Sequence, residues 1–200
     1  MKIMYVHGIG SNGKGNTVTL MKKYLTNHEI YSFDIPFDPD EAIKFIKDKC
    51  NELDINVLVG TSLGGFYTMQ IYGVQKILIN PAIKAFETAK NIIGLGVHDY
   101  LCEREDGVQT YTIDEKFIEK LRTQFDHHIY NIDEEVSKET YGLFGVNDDV
   151  CDFRKEFKNV YGKRQFWEAY FGHRMNEGVF KNIFIPIFEQ VEKDFNERVW

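Results

Sequence analysis

The stretch INVLVGTSLGGFYTM, residues 55–69, decides how this chain is read. It begins as a buried apolar strand over 55–60 and runs, with no loop residues to spare, through Thr61-Ser62-Leu63-Gly64-Gly65 into a helix written FYTMQIYG. Gly60-Thr61-Ser62-Leu63-Gly64 fits G-x-S-x-G, a strand-to-helix turn that holds its serine at strained φ/ψ so that the oxygen projects from the bend. Gly60 and Gly64 are needed there sterically, because side chains would collide across so sharp a turn. With four serines and 16 glycines in 200 residues, a chance match is expected only about 0.03 times before context is required.

A serine hydroxyl is a poor nucleophile until a base takes its proton and an acid orients that base. Behind such a turn they follow in the order Ser, acid, His. LFGVNDDV (143–150) ends a strand with Gly145-x-x-Asp148, and YFGHRM (170–175) puts His173 in a loop between the last strand and the last helix. Asp148 is the expected acid by its spacing from Gly145, with Asp149 as the alternative; Asp152 is expected to open the next helix. The other histidines read differently. His28 precedes a strand, His98 sits in an insertion, and Asp126-His127-His128 reads as a surface helix end, because adjacent histidines point apart and rarely share one metal ion.

A second glycine-rich turn, VHGIGSNGKGNT (6–17), admits three readings. A phosphate-binding P-loop needs Ser or Thr after its lysine, and Gly15 stands there. Gly8-x-Gly10-x-x-Gly13 is a dinucleotide fingerprint, and Asp34 lies about 20 residues further on, where a ribose-binding acid belongs. Against it, Gly13 falls in an extended loop instead of inside the helix, and the bulky His7 precedes the first glycine. In the third reading His7-Gly8 is a structural turn at a strand end that aims the Ile9 N–H at an oxyanion, with the Leu63 N–H as the second donor. Only this one agrees with Ser62. Dinucleotide binding by Gly8 to Gly13 stays as a lesser alternative, beside a non-catalytic ligand-binding protein of the same architecture.

Short apolar runs alternate with amphipathic stretches along the chain, the pattern of strands and crossover helices in a mostly parallel sheet flanked by helices. Strands are expected at IMYV (3–6), EIYSFDI (29–35), INVLVG (55–60), KILIN (76–80), ETYGLFG (139–145) and RQFWEA (164–169). Asp38 and Pro39 open one helix as N-cap and first-turn residue. Thr112 or Asp114 caps another, and a last helix starts near Gly178. Between Asn80 and Glu139 the rhythm weakens, so residues of about 81–137 are expected to form a helical cap inside a single domain spanning 1–200. Tyr100 and Tyr111 there are candidate walls of an acyl pocket.

A net charge of −7 and a pI near 5.4 disfavour a nucleic-acid surface, which depends on clustered Lys and Arg. Cys50, Cys102 and Cys151 are odd in number and far apart, which indicates neither a disulfide framework nor a zinc ribbon. Without a signal-peptide pattern or a spanning apolar run, a cytoplasmic location is expected. No metal and no cofactor is called for by this chemistry.

VHGIGSN, GTSLGGFYTM, ILINPAI, DGVQTY, GVNDDVCDFR and FGHRM together resemble, in order and spacing, the small bacterial α/β-hydrolases of the YqiA esterase type, over nearly the whole chain. The resemblance implies a minimal α/β-hydrolase fold without the N-terminal antiparallel strands of larger relatives. It also implies hydrolysis of carboxylic esters or acyl thioesters through an acyl-enzyme, with nucleophile, acid and base at Ser62, Asp148 and His173. The sequence departs from that group at Val108 and in a longer, glycine-richer loop after Gly8, both on the substrate-facing side.

Overall fold

The structure is a computed structural model and describes residues 1–198. Its first half runs β1 (Lys2–Val6), α1 (Asn16–Tyr24), β2 (Glu29–Ser32), α2 (Pro39–Leu53), β3 (Val57–Thr61), α3 (Leu63–Thr68) and β4 (Gln75–Ile79). Then come α4 (Ala85–Thr88), extended by a π turn over Ala89–Ile93, the strands β5 (Gly96–Asp99) and β6 (Thr110–Ile113), and helices α5 (Glu115–Tyr130) and α6 (Glu134–Lys138). The chain continues through β7 (Thr140–Gly145), α7 (Arg154–Tyr161), β8 (Phe166–Ala169) and α8 (Glu177–Val179), then a π turn over Phe180–Phe184, and α9 (Ile185–Arg198).

Six strands form one sheet in the order β2-β1-β3-β4-β7-β8, and every neighbouring pair is parallel. Successive side chains leave opposite faces of a strand, and the core divides accordingly. Ile3, Val57, Ile77 and Leu143 pack with Met21, Phe184 and Val191 of the α1 and α9 side. Met4, Leu58, Leu78 and Phe144 pack against the other face with Ile46, Phe66, Leu121 and Phe157. A sheet covered on both faces reads as unbroken apolar runs instead of alternation, which is why KILIN and INVLVG stood out in the sequence.

From β1 the chain steps out to β2, returns to β3 on the far side of β1, and proceeds to β4, β7 and β8. Ligands in such sheets sit beyond the carboxyl ends of the strands at the point of reversal. The register brings those ends level: Val6 pairs with Gly60, Thr61 with Ile79, and Gly145 with Ala169. The loops carrying His7, Ser62, Asn80, Asp148 and His173 therefore emerge on one rim.

Local signals behave as the residue chemistry dictates. Asp38 caps α2, accepting from the Asp40 and Glu41 amides, with Pro39 as the first helical residue. Asp114, not Thr112, caps α5 through the Phe117 amide at 2.7 Å; Thr112 lies in β6.

Three expectations are corrected. The region of about 81–137 is not wholly helical, for β5 and β6 form an antiparallel ribbon pairing Gly96 with Ile113 and Asp99 with Thr110. Its glycines, Gly94 and Gly96, take φ of 94° and 134°, which a helix does not permit. Helix α3 ends at Thr68 instead of continuing to Gly73, because the Gln70 and Ile71 amides turn back three residues to Tyr67 and Thr68 and close the last turn. His128 is buried, not on a surface helix end: its ring lies between the Tyr72 hydroxyl at 2.9 Å and the Tyr161 hydroxyl at 2.6 Å.

Candidate active site

Ser62 sits between β3 and α3 with φ 56° and ψ −121°, a strained conformation for a residue with a side chain. The surrounding glycines make the turn possible. A Cβ on Gly60 would lie 2.4 Å from Thr68 Oγ1, and one on Gly64 would lie 2.2 Å from the Val6 carbonyl oxygen. A Cβ on Gly8 would press on Ser62 Cβ at 3.2 Å, so the β1 turn lies directly against the elbow.

On the opposite side of the rim, His173 Nδ1 meets both oxygens of Asp148, Oδ2 at 2.9 Å and Oδ1 at 3.1 Å. Against a carboxylate Nδ1 must carry the proton, which leaves the Nε2 lone pair free to accept one. The Val150 and Cys151 amides also donate to Asp148 Oδ1, at 2.8 and 3.0 Å. Burial alone would raise the Asp148 carboxyl; the donors from His173, Cys151 and Val150 outweigh it and hold the group below the ordinary carboxylate range. Asp149 has no place in this pairing, and Asp152 is engaged by Arg154 at 2.6 Å.

The structure does not close the Ser62–His173 link. Among the described residues the partner of Ser62 Oγ is Cys151 Sγ, at 3.8 Å. Burial pushes the Cys151 thiol up to about 12, so it stays protonated beside the serine. Cys151 is in turn tied through its amide to Asp148, which makes a short bridge from elbow to acid.

His7 and Gly8 form the turn that follows β1. His7 is buried; its Nε2 accepts from the Ile35 amide at 3.0 Å, which places the proton on Nδ1, donating to the Gly8 carbonyl at 2.8 Å. Burial lowers its pKa, so the ring is neutral. It pins the turn that carries Ile9. The Ile9 amide makes no hydrogen bond among the described residues, and the Leu63 amide, first in α3, has no acceptor within its helix. Between these amides and the strap of residues 100–106 lies a narrow slot bounded by Phe37, Tyr67, Tyr100 and Arg104, with free volume of ≈ 20 Å³. Tyr100 lines it; Tyr111 stands behind, packed on Tyr100 and Phe37.

Sequence reasoning missed Asn80. Fully buried and at φ 43°, it accepts from the Gly145 amide at 2.7 Å and donates to the Gly172 and His173 carbonyls at 3.0 and 3.1 Å. One side chain thus fixes the end of β7 and the loop that carries His173. The signal was an asparagine closing a buried strand just before a proline. The dinucleotide alternative, conversely, loses its acid: Asp34 spends one oxygen on the Gly13 amide and the other on the Glu105 amide. No group of three or more His, Cys, Asp or Glu among the described residues is arranged to hold a metal ion. Nor is any helix of the described residues long and apolar enough to cross a membrane.

A parallel sheet with a serine elbow after the third strand, an acid after the fifth of its strands in chain order and a histidine after the last defines the α/β-hydrolase fold, and solved structures agree. A monoacylglycerol lipase from Paleococcus ferrophilus superposes with a TM-score of 0.64 at 15% identity, covering 98% of this chain and 94% of its own. Mouse alpha/beta hydrolase domain-containing protein 10 gives 0.67 at 18% identity, covering 96% and 90%. A soluble variant of monoglyceride lipase from Saccharomyces cerevisiae gives 0.63 at 12% identity, covering 96% and 86%. The chain belongs to the uncharacterised protein family UPF0227, whose model matches residues 2–177.

Proposed function

We propose that this protein is a serine hydrolase that cleaves carboxylic esters or acyl thioesters through an acyl-enzyme on Ser62. His173 Nε2 takes the hydroxyl proton as Ser62 attacks the acyl carbonyl, and Asp148 holds the imidazole tautomer and stabilises the imidazolium. The Ile9 and Leu63 amides receive the developing oxyanion; one such donor is commonly worth about 3 kcal/mol in the transition state. His173 returns its proton to the leaving alcohol or thiol, and then activates the water that frees Ser62.

The observation that carries this reading is the Asp148–His173 pair at 2.9 Å, with no hydrogen-bond partner on Nε2 among the described residues, on the same rim as a serine at φ 56°. That similar structures belong to proteins named as monoacylglycerol lipases supports an ester as substrate. The contact of Ser62 Oγ with Cys151 favours one second reading, a ligand-binding protein whose serine never meets the histidine. A fluorophosphonate probe separates the two. A covalent adduct on the wild type and none on Ser62→Ala, together with turnover of nitrophenyl esters or acyl-CoA thioesters lost in that variant, is the expected result. Turnover that survives in Ser62→Ala removes the mechanism, and a wild type inert to both probe and substrates leaves the ligand-binding reading.

A further inference from the structure

The slot beside the oxyanion turn contains a hydroxyl that nothing satisfies. Tyr67, on the first helix after the elbow, is 2% exposed, lines the slot, and its Oη has no hydrogen-bond partner among the described residues. A buried phenol ordinarily finds a partner, because leaving its O–H dry is unfavourable. The slot that Tyr67 lines has free space of ≈ 20 Å³, room for about one water-sized group.

The rest of the slot says what that group is. Arg104, also buried, is the cation at its edge, but its guanidinium is already committed. Nε and NH2 hold Asp106 at 3.1 and 2.7 Å, NH1 donates to the Ile35 carbonyl at 3.3 Å, and the plane lies 4.6 Å from the Tyr100 ring centre. Asp34, the neighbouring acid, is occupied by two backbone amides. An arriving anion would find a positive charge neutralised by Asp106 and a second carboxylate nearby. An uncharged oxygen meets no such opposition. Phe37 and Ile35 supply apolar wall to the slot, whose size admits the oxygen itself.

Resting on the serine-hydrolase reading, we propose that Tyr67 is a specificity-determining residue, its hydroxyl donating to an uncharged oxygen within the acyl group, so that the preferred substrates are oxo- or alkoxy-acyl esters over plain acyl esters of equal length. The phenol donates, the ligand oxygen accepts, and a plain methylene at the same place leaves the hydroxyl dry. A polar site of this kind discriminates by what it leaves unpaired when the wrong group enters.

The test compares kcat/KM for nitrophenyl 4-oxopentanoate against pentanoate and 5-oxohexanoate against hexanoate, with the nitrophenyl half-ester of butanedioic acid as the anionic isostere, on the wild type and Tyr67→Phe. The wild type should favour at least one oxo ester over its plain partner by about threefold to tenfold, the range of one neutral hydrogen bond. The anionic ester should fall below the oxo ester, and the oxo preference should vanish in Tyr67→Phe. A ratio equal in both proteins overturns the proposal and assigns the hydroxyl to a trapped water; a half-ester favoured above the oxo ester overturns the uncharged ligand. Thermal melting supplies a readout independent of turnover: loss of an orphan hydroxyl should leave Tyr67→Phe as stable as the wild type or more so, whereas a drop of several degrees shows a structural partner and sinks the idea. If the wild type cleaves none of the five esters, the hydrolase reading fails, and the melting result still decides whether the hydroxyl is free.

Discussion

Replacing Asn80 by alanine should cripple both the stability of the molecule and the placement of His173, the proposed base. The side chain accepts from Gly145 and donates to Gly172 and His173, and truncation leaves three backbone groups without it. At about 0.5–1.5 kcal/mol for each hydrogen bond, the loss is about 1.5–4.5 kcal/mol. Alanine must also hold φ near 43°, a left-handed conformation that asparagine tolerates and that adds about 1 kcal/mol for a residue without local hydrogen bonding. Together these give about 2.5–5.5 kcal/mol. With a urea slope of about 2.5 kcal/mol per molar for a chain of this length, the unfolding midpoint should drop by about 1–2 M. Asn80→Asp sharpens the test, because it keeps size and the acceptor toward Gly145 while turning both donor bonds into oxygen–oxygen repulsions. It should lose at least as much stability as alanine. Hydrolysis of a nitrophenyl ester, measured well below the unfolding midpoint, should fall more than tenfold in both, since the bonds to the Gly172 and His173 carbonyls hold the loop of the proposed base. A midpoint within about 0.3 M of the wild type would refute the energetic argument, and an unstable variant with undiminished turnover would refute the link from Asn80 to His173.

Gly64→Ala places a methyl 2.2 Å from the Val6 oxygen and 2.5 Å from the His7 oxygen; it should prevent the elbow from docking on β1, giving insoluble or molten protein by circular dichroism and dye binding, and a cooperatively folded variant would contradict the packing described. His128, buried between Tyr72 and Tyr161, has its pKa lowered by burial to about 3, so the unfolded chain takes up a proton near pH 6.5 that the folded one refuses. Stability therefore falls as pH drops from 6.5 toward 3, by about 1.4 kcal/mol per unit, and His128→Gln should remove that slope in urea titrations run across the window. Asp148 is shifted the other way, below the ordinary carboxylate range; its stabilising effect is complete above about pH 4 and is lost as pH falls through its folded-state pKa. The stability gap between the wild type and Asp148→Asn should be widest at neutral pH and shrink in acid, and a gap independent of pH would show that the Asp148 charge contributes nothing.

Those features of the fold that depend on periodicity and sterics were legible in the residues. Buried parallel strands announce themselves as apolar runs, and the two glycines around Ser62 answer to contacts of 2.4 and 2.2 Å that no other residue survives. The register aligns the strand ends that bear Ser62, Asp148 and His173, which is why residues so far apart in sequence come out on one rim. Illegible features were those set by contacts distant in sequence. The ribbon of β5 and β6 lacks a strong alternating pattern, since Gly96, Val97 and Asp99 are all exposed. Adjacent His127 and His128 look alike on paper, and only the approach of Tyr72 and Tyr161, 56 and 33 residues away, buries one of them. Asn80 became part of the site through Gly145, Gly172 and His173, and the contact of Ser62 with the Cys151 thiol, 89 residues away, is one that periodicity does not encode.

Asp34 has a wider effect than its position suggests. By gripping Gly13 with one oxygen and Glu105 with the other, and with Asn12 holding the Glu103 carbonyl and Lys14 the Glu105 carboxylate, it rivets the glycine loop to the cap strap. The two segments should then breathe as one body. Asp34→Ala removes two of these ties and leaves those of Asn12 and Lys14, so the glycine loop and the strap should be cut by a protease faster than in the wild type, through a residue that does not line the slot.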